Sequence, residues 1–152
     1  LVFTAEALVD AVAPASGSAT VFGAENVAGG SAWNLAVDSA GALYLNYTLQ
    51  DGTAASAKVG DGFAGLAHHV ALVADMPNRA LAVYVDYSER LFLSSTDIAE
   101  PLSSDGLHFV AGGGCGNAVL SGTLDEVCLT HDMLTCEQFL RVTSRGLQII
   151  FR

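Results

Sequence analysis

Between Ser31 and Leu49 apolar and polar residues alternate one by one across a single tight turn. Trp33, Leu35 and Val37 fall on one face of the first run, and Asn34, Ala36 and Asp38 on the other. After Ser39-Ala40-Gly41 the pattern resumes, with Leu43, Leu45, Tyr47 and Leu49 facing one way and Tyr44, Asn46 and Thr48 the other. A period of two places every second side chain on the same side of a pleated strand. The stretch therefore predicts a β-hairpin with one buried face. An apolar sheet face has to be covered by another layer, so this hairpin constrains the whole chain.

The other layers are legible in the same way. Strand-like runs cover residues 3–9, 20–22, 54–59, 68–74, 81–87, 90–94, 107–111 and 123–130, separated by Gly, Pro, Asn and Asp clusters. His68 to Ala74 is almost continuously apolar, as in the centre of a sandwich. After the last strand, Thr135 and Gln138 have capping-box spacing, and Leu134 and Phe139 have the spacing of a hydrophobic staple. These signals predict a short C-terminal helix. The expected fold is all-β: a two-sheet antiparallel jelly-roll sandwich of about ten to twelve short strands with that one helix. The 152 residues form a single expected domain, 1–152, without internal repeat or linker. Of them, 51% are hydrophobic, 14% are charged and 16 are glycine, a profile produced by many short strands and turns. No run of 18 apolar residues predicts a membrane span. The first residues carry no basic leader, the expectation for a mature protein or an excised domain.

Four ordered motifs carry a family resemblance. Phe3-Thr-Ala-Glu-Ala-Leu-Val9, Ala67-His-His-Val-Ala-Leu-Val73, Leu81-Ala-Val-Tyr-Val-Asp86 and Gly122-Thr-Leu-Asp-Glu-Val127 come in sequence, and Met133-Leu-Thr-Cys-Glu-Gln-Phe139 follows the last. Together they resemble the laminin-G-like (concanavalin A-like lectin/glucanase) jelly-roll domains. The resemblance implies the sandwich. It leaves activity open, because this fold hosts lectins, adhesion modules and hydrolases. The chain departs from the family at Leu8 and Ala67, where tryptophans are expected. It departs again at Tyr87, where glycine is expected, and at Cys128, where arginine is expected. The family also places a strand before the first motif, where this chain has only Leu1-Val2. Three ways of covering the resulting sheet edge stay open: an extra strand from the β-prone residues 146–152, a domain that begins earlier, or a strand donated by a partner.

Net charge is −10, and Lys58 is the single lysine. That balance disfavours nucleic acid and anionic membrane as partners. It is compatible with divalent-cation binding or with solubility alone. The family resemblance implies a calcium ion held by loop carboxylates at one rim. Asp51, Asp61, Asp75 and Asp105 sit beside turns and are the candidates, although they form no Asp-x-Asp cluster. Cys115, Cys128 and Cys136 allow at most one internal bridge, or three thiols.

Enzymatic motifs are missing. There is no Gly-x-Ser-x-Gly elbow, no His-Glu-x-x-His and no phosphate loop, and Gly112-Gly-Gly-Cys-Gly116 reads as a flexible turn. The paired-carboxylate strand of the glucanases does not occur, and adjacent Asp125 and Glu126 would point to opposite faces. Asp125 is expected to be buried beside Val127 and Leu129, accepting turn N–H groups, and Glu126 to be solvated. His68 and His69 likewise face opposite ways and are expected to be structural. Sugar recognition combines an aromatic platform with amides and carboxylates. Asn34, Tyr44, Asn46, Tyr84 and Asp86, on the faces opposite the apolar ones, are the candidate ligand-binding residues. The expected function is non-catalytic carbohydrate binding in a secreted or cell-surface protein. The alternative is a structural or adhesive module that contacts a protein partner, a second copy or its parent protein through an open sheet edge.

Overall fold

The computed structural model of the chain describes residues 2–26, 31–99 and 107–140. These residues form ten strands: β1 (Val2–Val12), β2 (Ser18–Asn26), β3 (Ser31–Asp38), β4 (Leu43–Thr48), β5 (Ala54–Gly60), β6 (Ala67–Asp75), β7 (Ala80–Val85), β8 (Ser88–Ser94), β9 (Leu107–Ala111) and β10 (Ser121–Thr130). They make two five-stranded antiparallel sheets, β10-β1-β6-β7-β8 and β5-β4-β3-β2-β9. Among the described residues no helix is long and apolar enough to cross a membrane.

The β3–β4 hairpin forms as its alternation predicts. Trp33 lies opposite Tyr47, Leu35 opposite Leu45, and Val37 opposite Leu43. Asp38 sets the turn: its Oδ1 accepts the N–H groups of Ala40 and Ala42 at 2.9 and 2.8 Å. Gly41 takes the left-handed conformation (φ 80°) that the reversal requires. Facing this hairpin, β1 contributes Phe3, Ala5, Ala7, Val9 and Ala11, all buried. Phe3 stacks on Trp33 at 5.2 Å, and Phe22 and Phe109 pack around the same indole. The expected burial of Trp33 and the expected double-sided burial of β6 both hold.

The expected C-terminal helix is not present in the described residues. Residues 131–140 form an irregular strap with one turn, closed by Gln138 N–H donating to the Thr135 carbonyl at 2.8 Å. Half of the capping box survives, since Gln138 Oε1 accepts the Thr135 N–H at 2.9 Å. The strap's backbone is bound to the outer face of β1, on both sides of that turn. Thr4 Oγ1 accepts the Leu134 N–H (2.9 Å) and donates to the Asp132 carbonyl (2.8 Å), and Glu6 Oε2 accepts the Leu140 N–H (2.8 Å). The predicted extra strand at 146–152 lies outside the described residues.

Asp125 also differs from expectation. It is exposed, with its Oδ1 accepting the Glu126 N–H at 2.8 Å, and Glu126 is half-buried rather than solvated. The cause is a β-bulge. The β1–β10 register shifts between Glu6 and Leu8, and Glu126 takes φ 49°. One extra residue resets the alternation. Leu124 and Val127 therefore both pack on the core, while Leu129 is 44% exposed.

Candidate functional site

The outer face of the β3 sheet carries a polar ladder. Asn34, Asn46 and Ser56 sit on one rung across β3, β4 and β5, and Ala36, Tyr44 and Lys58 on the next. A polar outward face is ordinary for a half-exposed sheet. Burial of an amide in its middle is not: Asn34 is only 2% exposed.

The loop between β9 and β10 buries it. That loop is bound to β2 by Gly112 N–H to Val21 O (2.8 Å), Ala118 N–H to Ser18 O (2.9 Å) and Thr20 N–H to Ala118 O (3.3 Å). Thr20 Oγ1 donates to Gly114 O at 2.8 Å, and a Glu25 carboxylate oxygen accepts the Cys115 N–H. Gly114, Cys115 and Gly116 are successive left-handed residues (φ 87°, 56° and 74°). Gly23 makes room beneath them. A Cβ there would lie 2.6 Å from Asn34 Cβ and 2.9 Å from Cys115 Sγ. The glycine run expected to be a flexible turn is thus a pinned wall. Its conformational freedom serves close approach to the sheet.

Asn34 Oδ1 accepts from Asn46 Nδ2 at 2.9 Å and from Asn117 Nδ2 at 3.4 Å. Asn117 Nδ2 also donates to Thr20 Oγ1 at 3.0 Å. Two loop-facing amides are thereby oriented by a third that is itself immobilised by burial. Between wall and sheet runs a groove of about 350 Å³, with Ser18, Asn34, Asn46, Thr48, Ser56 and Asn117 among its lining residues. Tyr44 stands on the same face one rung away, half-buried, and Lys58 opposite it is paired with Asp61 at 2.5 Å.

Three of the five candidate ligand residues, Asn34, Tyr44 and Asn46, are therefore brought together. Tyr84 and Asp86 belong to the other sheet. Tyr84 donates to Glu89 at 3.2 Å and packs edge-on against Phe139. Its phenol is pushed up, by burial first and by the Glu89 charge second. Asp86 occupies the β7–β8 turn (φ 50°), where it accepts the His69 N–H (3.1 Å) and His68 Nδ1 (2.8 Å). One surface cannot contain all five. Ser18, Thr48, Ser56, Cys115 and Asn117 join the groove without having been candidates.

His68 and His69 do face opposite ways. His68 stacks on Phe63 at 4.9 Å, whereas His69 lies under the strap, stacked on Tyr87 at 4.6 Å and donating through Nε2 to Glu6 at 3.0 Å. The calcium candidates stand at separate turns. Asp51 accepts the Thr53 N–H at 2.8 Å, which holds its carboxyl below the usual range. Asp61 pairs with Lys58, and Asp75 accepts from Asn78 Nδ2 at 2.7 Å. Asp105 lies outside the described residues. Among the described residues no three His, Cys, Asp or Glu side chains surround a common point.

A larger cleft of about 510 Å³ separates the strap from β7 and β8. Its walls include Ala80, Ala82, Phe92 and Met133, with Tyr84 at one side. It lacks the convergent amides of the groove.

No protein-family model matches the chain, and no curated protein sequence does. Solved structures do. A candidate carbohydrate-binding protein from Bacteroides ovatus aligns over 90% of the chain at 23% identity with a TM-score of 0.63. A Trypanosoma rangeli sialidase aligns over 90% at 23% identity with a TM-score of 0.69. The CBM40 of a Ruminococcus gnavus IT-sialidase, bound to α2,6-sialyllactose, aligns over 90% at 14% identity with a TM-score of 0.65. The chain spans 39% of the first, 21% of the second and 80% of the third. At these identities the likeness establishes fold: a concanavalin A-like, laminin-G-like β-sandwich.

Proposed function

We propose that this domain is a non-catalytic carbohydrate-binding module, and that its site is the groove on the outer face of the β3 sheet. The observation that carries the proposal is the Asn46–Asn34–Asn117 amide network beneath an open groove of about 350 Å³. Sugar hydroxyls both donate and accept, and carboxamides match them with both functions in fixed directions. Orienting the amides beforehand reduces the ordering cost of binding. Tyr44, one rung along the same face, offers an aromatic surface beside the groove. Carbohydrate binding in solved relatives of the same fold supports the reading. The groove residues include no carboxylate, so an acid–nucleophile pair has no place in it.

Calcium is not required in this proposal, since Asp51, Asp61 and Asp75 are engaged at their own turns. The proposed setting is a secreted or cell-surface protein, where free glycans are met. The test is a glycan array run in calcium and again in chelator, with Asn46→Ala and Tyr44→Ala alongside. Binding that both variants weaken is expected in both conditions. A folded protein that retains no glycan at all contradicts the proposal.

A protein-assembly role has one observation in its favour. Among the described residues strand β10 is at the edge of its sheet, and Leu129 on it is 44% exposed. Sedimentation across a concentration range tests this role, with Leu129→Lys to block the edge. A single species at every concentration removes it.

A further inference from the structure

We infer that the groove selects neutral, hydroxyl-rich glycans and discriminates against those that carry a carboxylate, sialosides included. The inference rests on the carbohydrate-binding reading and narrows its ligand class. No ionised carboxylate, lysine or arginine lines the groove: its amides and aliphatic hydroxyls, on Ser18, Asn34, Asn46, Thr48, Ser56 and Asn117, are neutral, and Tyr47, Ala54, Ala55 and Cys115 complete the lining. A carboxylate drawn out of water loses hydration that only charged or several well-aimed donors restore. On this face the cationic side chain nearest in register is Lys58, two residues from Ser56, and Asp61 already holds it at 2.5 Å. Asp38, at the end of β3, adds a second negative charge near the same ammonium. Around Lys58, one rung from the groove, two carboxylates therefore stand against one ammonium. The whole chain adds a net charge of −10. An anionic sugar meets like charge on approach and gains no ion pair on arrival. A neutral sugar meets neither penalty, and the amide network serves it in full.

The experiment is an array of neutral gluco-, galacto-, manno- and xylo-oligosaccharides beside sialylated and uronic-acid glycans, read at low and high salt. Neutral ligands are expected to bind roughly tenfold or more tightly than acidic ones. Raising salt should leave neutral binding unchanged and lift whatever acidic binding exists. Ser56 is exposed and faces the groove opposite Asn46. Ser56→Arg, which adds a guanidinium fork suited to carboxylates, should shift the ratio toward acidic glycans. Preferential binding of sialylated or uronic glycans by the native protein overturns the inference and leaves carbohydrate binding standing. An unmoved ratio in Ser56→Arg also counts against it. Absence of binding to every glycan overturns the carbohydrate reading, and this inference with it.

Discussion

Asn34 is the residue on which the groove depends. Its single Oδ1 fixes two other amides from a position that is itself almost fully buried. Asn34→Ala should cost about 1–3 kcal/mol, because a buried side chain and the hydrogen bonds it makes are removed together. Chemical denaturation measures this, and glycan binding should be lost as well. Asn46 is half-buried and at the groove surface. Asn46→Ala should weaken binding roughly tenfold, the worth of about one net hydrogen bond, and lower stability by about 1 kcal/mol as the buried Asn34 Oδ1 loses its nearer donor. Gly23 acts by having no side chain. Gly23→Ala should destabilise by about 1–3 kcal/mol through overpacking against Asn34 and Cys115. A Gly23→Ala protein of native stability would show that the wall does not sit closely on the sheet.

At the scale of elements, the strap is held by residues of the recognised motifs. Thr4 and Glu6 of the first motif bind its backbone, and His69 of the second binds Glu6. Asp86 of the third receives the His69 N–H, and Phe139 of the last packs on His69 and Tyr84. These motifs were legible because they are contacts with one another, and they specify how the sandwich closes. Thr4→Val keeps the shape but removes both strap bonds. It should speed hydrogen exchange at the Leu134 amide well before global unfolding. Tyr84 beneath the strap gives a pH signature. A phenol raised in the folded state holds its proton longer than in the unfolded chain, so its contribution to stability is present below the ordinary tyrosine range and lost as pH rises through the folded value. Ultraviolet titration should show a phenolate that appears above the ordinary tyrosine range, and Tyr84→Phe should abolish that component.

At the scale of the whole molecule, the sandwich was legible and the site only partly so. Alternation in Ser31–Leu49 assigned Asn34, Tyr44 and Asn46 correctly to an outward face. It carried no information on which sheet Tyr84 and Asp86 would join, since faces are local and sheet order is global. Asn117, Ser18 and Ser56 come from separate segments that meet only through strand register and the loop's attachment to β2. Within the described residues the expected helix is not present: the Leu140 N–H, which a helix capped at Thr135 would bond internally, is bound to Glu6 from the far end of the chain. In the proposed reading, glycan binds on the outer face of the β3 sheet. The most direct test of this reading is amide chemical-shift mapping, side-chain amides included, during titration with a neutral oligosaccharide that binds. Shifts are expected to concentrate at Asn34, Asn46, Ser56 and Asn117. Shifts concentrated at Tyr84, Glu89 and the strap would place the site on the other sheet and contradict it.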